Sequence, residues 1–206
     1  VVTSEWNAFL RLAMAELYDL ITTAYEDYFA DQTVTITTNG TSLSCGVTFN
    51  GSGGAWTLSD ALTTTNQITL TAGTFSTSAS NYALTTRNIV LQGATLNLNG
   101  STCTLTATTT VNPFSRTSGT LSAGTSQITC NGALTTGTFG GTATFYNVSF
   151  TGVTATPTIS GANTFNNLTF AGRTSAGVNN ITFSGNQTIS GTLTVNAGTD
   201  ASMRSF

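Results

Sequence analysis

A nine-residue phrase in the second half of the chain returns twenty residues later, and that recurrence constrains the fold more than any other feature. Thr144-Phe145-Tyr146-Asn147-Val148-Ser149-Phe150-Thr151-Gly152 comes back as Thr164-Phe165-Asn166-Asn167-Leu168-Thr169-Phe170-Ala171-Gly172. Asn180-Ile181-Thr182-Phe183-Ser184-Gly185 copies the second half once more, and Gln127-Ile128-Thr129-Cys130-Asn131-Gly132 is a fainter version upstream. A unit this short cannot bury its apolar side alone, so copies must stack. The recurrence predicts a rung-stacking core in which Ile128, Val148 and Leu168 lie over one another, as do Phe150 and Phe170, with about 4.8 Å between rungs.

The rest of the chain speaks the same dialect. From Thr33 onward apolar and polar residues alternate, as in Gln67-Ile68-Thr69-Leu70-Thr71 and Thr192-Leu193-Thr194-Val195-Asn196, the period of a strand with one buried side. The runs end in turn pairs such as Ala72-Gly73, Asn99-Gly100 and Ala197-Gly198, where positive φ is tolerated. Thr and Ser together supply 67 of 206 residues, yet 39 % are apolar and Pro contributes only 2, so the chain folds rather than remaining disordered. The expected architecture for 33–206 is an irregular β-solenoid rod, β-helix-like, of about eight rungs and roughly 40 Å; a β-sandwich of hairpins is the alternative. Threonine series such as Thr102-x-Thr104-x-Thr106-x-Thr108 do not recur at one fixed rung period and are read as ordinary strand filling.

Residues 1–32 are written differently. Six acids and Arg11 fall within the first 31 residues, giving this segment −5, whereas the remaining 175 carry +2. Trp6, Phe9, Leu10, Met14, Leu17, Ile21 and Tyr28 recur at three- and four-residue steps, without Gly or Pro from Ser4 to Ala30, which predicts an amphipathic N-terminal α-helix. Thr3 or Ser4 is its N-cap and Glu5 suits the helix dipole. An exposed apolar stripe needs a partner, so these seven residues are the candidate docking or oligomerisation surface. Arg11, Glu16 and Asp19 interrupt any candidate membrane span.

Several function classes drop out on chemistry. The chain has no His and no Lys, and between Asp31 and Asp200 the only acid is Asp60. A carboxylate pair for glycoside cleavage, a His-activated nucleophile and a Lys Schiff base are therefore all missing. No catalytic, cofactor-binding or metal-ligating residue is assigned, no cofactor is expected, and the expectation is a protein that is not an enzyme. Four scattered Arg cannot make the basic footprint nucleic acid demands. Cys45, Cys103 and Cys130 are an odd number without CxxC spacing, read as small core residues. Trp56 is weighed as a sugar platform and read instead as core.

The stretches Ala55-Trp56-Thr57-Leu58-Ser59-Asp60, Ile68-Thr69-Leu70-Thr71-Ala72-Gly73-Thr74-Phe75 and Asn163-Thr164-Phe165-Asn166-Asn167-Leu168-Thr169-Phe170 resemble the Thr/Gly/Asn-rich β-repeats of tailed-phage fibre and decoration proteins, over about residues 50–198. The resemblance implies a structural protein at the virion surface, its N-terminal helix docked on other virion proteins or self-bundled, its β rod projecting. It further implies a homo-oligomer, a trimer being favoured, and a host surface glycan or protein as distal partner. A bacterial or archaeal surface adhesin or extracellular filament subunit is the alternative.

Overall fold

The computed structural model describes residues 33–134, 136–152, 157–171 and 181–196, together with Met14 and Glu16. In chain order the strands are β1 (Thr33–Ile36), β2 (Ser42–Leu43), β3 (Val47–Leu58), β4 (Leu62–Thr64), β5 (Gln67–Ser76), β6 (Leu84–Thr86), β7 (Asn88–Asn97), β8 (Thr102–Leu105) and β9 (Phe114–Ser122). They continue with β10 (Gln127–Cys130), β11 (Thr138–Gly140), β12 (Thr144–Phe150), β13 (Thr158–Ser160), β14 (Thr164–Phe170), β15 (Thr182–Ser184), β16 (Thr188–Ile189) and β17 (Leu193–Val195). Odd-numbered strands from β1 to β15 form one sheet in sequence order, and even-numbered strands from β2 to β16 form the other, with β17 also on β14. All pairings between these strands are parallel. The chain is therefore a β-solenoid of about seven turns, and the sandwich of antiparallel hairpins is excluded.

The turns are less regular than the twenty-residue phrase suggests. Paired residues on successive turns are separated by as few as 19 positions, from Leu84 to Cys103, and as many as 26, from Gln92 to Ser118. The variation sits partly in the corners and partly in register shifts inside the β3–β5 and β7–β9 ladders. Gly132 shows how tight a corner is: a Cβ there would lie 1.8 Å from the carbonyl oxygen of Ala107 on the turn before.

Burial follows the alternation. Ile68, Leu70, Phe75, Ile89, Leu91, Leu96, Phe114, Phe139, Phe165 and Leu168 are sealed inside, each worth roughly 1.5–3 kcal/mol of transfer from water. Phe145 lies over Phe165 with ring centroids 5.4 Å apart, and Phe150 over Phe170 at 5.2 Å, both pairs within 12° of parallel. Trp56 packs on Phe49 at 5.3 Å. Inward hydroxyls at the corners donate along the axis: Thr64 to the Cys45 carbonyl, Thr86 to that of Asn66, and Thr77 to that of Leu98. These bonds satisfy side chains that would otherwise be buried without partners.

The cross-section changes along the rod. In β7 the alternation breaks at Gln92 and Gly93, both exposed, so that Ile89 and Leu91 face inward before the break and Ala94 and Leu96 after it. Register shifts at the same level in the β3–β5 and β7–β9 ladders mark a bend that gives these turns a third side. From β11 onward the strands of this sheet are only three residues long, and the third side ends at β9. On the opposite sheet β12 and β14 lengthen to seven residues, bringing in Phe145 and Phe165.

The expected N-terminal helix is not supported by an element among the described residues. Of its candidate docking residues, Trp6, Phe9, Leu10, Leu17, Ile21 and Tyr28 lie outside the described residues, and Met14 is exposed. Two of the three cysteines are core residues, as read from the sequence, but Cys45 is exposed. It falls on the corner between β2 and β3, where no strand side covers it.

Candidate functional site

The five residues picked out for rung stacking lie on the even-numbered sheet. Ile128 is directly opposite Val148, Val148 opposite Leu168, and Phe150 opposite Phe170, and all five side chains are buried. They form the wall behind a surface rather than the surface itself.

That surface is built from the residues between them. On its outward side Thr63, Thr85, Thr104, Thr129, Ser149, Thr169 and Thr194 follow one another in register, beginning from Ser42, so that every turn places a hydroxyl in the same column. Their spacing along the chain varies, and for that reason the column is invisible to linear inspection; reading the threonine series as mere strand filling missed the alignment. A second row of Gln127, Asn147 and Asn167 runs parallel to it, two residues earlier on each strand. The row ends at Thr192, whose backbone N–H donates to Asn167 Oδ1 at 2.8 Å.

Between the two rows lies an open groove of about 370 Å³ that crosses the last four turns, lined by Gln127, Asn147, Val148, Ser149, Asn167, Thr169, Thr192 and Thr194. Its amides are held in place: Asn166 and Asn167 both donate to Asn147 Oδ1, at 3.2 and 2.9 Å, and Gln127 Nε2 donates to the Ile128 carbonyl at 3.0 Å. Among the described residues no charged side chain lines it.

The few charges among the described residues of the rod have other work. The Asp60 carboxylate accepts from the Thr38 backbone N–H at 2.8 and 3.0 Å and from the Thr38 hydroxyl at 3.1 Å. These bonds, the backbone donor foremost, hold its pKa below the ordinary carboxylate value. Arg116 stands where the third side ends. Its guanidinium donates to the carbonyls of Gly119, Gly141 and Thr142, closing a smaller notch of about 200 Å³ bordered by Thr120, Leu121 and Thr144.

Burial pushes the Cys103 thiol up to about 12 and raises Cys130 as well, the latter also through its neighbour Cys103. Thiols held this way are protonated and unreactive at neutral pH. Among the described residues there is no group of three or more His, Cys, Asp or Glu that could hold a metal, and no helix long and apolar enough to cross a membrane. No protein-family model, curated protein or solved structure matches the chain.

Proposed function

We propose that this chain is a non-enzymatic structural shaft at the surface of an assembly, in the manner of tailed-phage fibre and decoration proteins. Residues 1–32 form an amphipathic helix that docks on other virion proteins or bundles with copies of itself, trimers being favoured, and the solenoid projects as a spacer. The observation that supports this reading most is the unbroken pair of parallel ladders, since turns that bury their apolar sides only against each other make length rather than an enclosed cleft. The scarcity of charge along the rod is consistent with the same role.

Deleting residues 1–30 tests it. Particle incorporation should be lost while the circular dichroism of the remainder stays β-rich; a truncated chain that still enters particles at the level of the full chain sinks the proposal. Native mass measurement of the intact assembly then separates trimer from monomer and filament.

A further inference from the structure

We propose that the groove between the two outward rows of the even-numbered sheet binds a single chain of neutral polysaccharide, laid along the solenoid axis. The inference deepens the structural-shaft reading by giving the shaft a ligand, and it rests on that reading only for the setting in which the ligand is met.

The argument starts from what the lining side chains have left to offer. The hydroxyls at the corners of the solenoid are consumed by carbonyls of neighbouring turns, whereas those of Ser149, Thr169 and Thr194 have no side-chain hydrogen bond among the described residues. A hydroxyl both donates and accepts, as the hydroxyls of a sugar do, so each position can pair with a sugar whichever way its O–H points. The opposite row has its amides already oriented by the Asn147–Asn166–Asn167 cluster, and groups fixed before binding lose little freedom on binding.

Charge selects the chemical class. With no Arg, Lys, Asp or Glu among the described residues that line the groove, none of them would compensate the desolvation of a sulfated, phosphorylated or carboxylated polymer. Shape selects the dimension: the groove is open and crosses four turns, which suits a chain rather than an enclosed small molecule. None of the described lining residues is aromatic, so each contact is weak and useful binding comes from many groups in line, and from several copies together when the chain oligomerises.

The test is electrophoresis of the full chain through native gels containing dextran, mannan or a β-1,3-glucan, with dextran sulfate as the charged contrast. At least one neutral polymer should retard the protein, and the double variant Ser149→Val/Thr169→Val, which puts a strand-favouring β-branched side chain at both positions and removes two hydroxyls, should lose about five-fold or more in apparent affinity. Thr57→Val/Thr95→Val, on the third side of the rod, should bind as the parent does, and thermal unfolding confirms that both variants fold. Retardation by dextran sulfate alone, by no polymer, or equally in parent and Ser149→Val/Thr169→Val overturns the proposal. None of these outcomes touches incorporation of the N-terminal segment, so the shaft reading stands or falls separately.

Discussion

Phe139, like Phe145, meets three other rings of the aromatic core. Its ring meets Phe145 at 4.9 Å, Phe150 at 5.4 Å and Phe114 at 5.7 Å, so it joins both sheets where the cross-section narrows. Phe139→Ala leaves a cavity between stacked turns that cannot close without breaking their ladders. The expected loss is about 3–5 kcal/mol, read from urea unfolding. Arg116→Met keeps the aliphatic stem but leaves three carbonyls without their donor, and should cost about 1–2 kcal/mol. Arg116→Lys should recover little of it, since one ammonium cannot reproduce the fork that reaches Gly119 and Thr142 together. Had Arg116 only been solubilising the surface, the lysine variant would match the parent.

Titration adds two further expectations at this scale. Asp60 binds protons more weakly in the folded chain than in the unfolded one, so its contribution is present at neutral pH and disappears as the pH falls below about 4. Asp60→Asn should flatten the acid limb of a stability–pH curve. The buried thiols act with the opposite sign: between about 9 and 12 the unfolded chain ionises while Cys103 stays protonated, so stability falls as the pH rises through that window. Replacing Cys103 and Cys130 by Ala should remove that alkaline dependence, and a thiol reagent should label Cys45 alone until denaturant is added.

At the scale of elements, corners decide what strands can do. Gly119 has φ +80°, and a Cβ there would stand 2.3 Å from the Ala94 carbonyl oxygen on the preceding turn. Gly119→Ala must therefore move the bend that creates the third side, and more than about 1 kcal/mol should be lost, measured as a drop in Tm. The alternation that predicts strands from Thr33 onward is a local property, so it was legible. The stacking partners were legible only where the corner length repeats, as between β12 and β14. The column joining Thr104 to Thr129 spans a longer corner, and no spacing rule on the primary structure points to it.

The whole molecule behaves as a one-dimensional stack, with each turn stabilised by its two neighbours. Thr144 pairs with Thr164 and Phe150 with Phe170, so excising residues 144–163 joins Ala143 to Thr164 and removes one turn without shifting the rest. That variant should remain folded and β-rich with a slightly shorter rod by small-angle scattering; collapse to an unfolded chain would mean that the turns are not interchangeable units.

What the amino-acid order determined by itself was which side of each strand faces inward, because period-two alternation is set residue by residue and needs no knowledge of the neighbours. Which turns carry a third side, where that side stops, and how unevenly spaced hydroxyls come into one column were decided by tertiary structure alone. Backbone pairing resets the register at each turn whatever the length of the corner before it, so a surface pattern arises that chain distance does not encode.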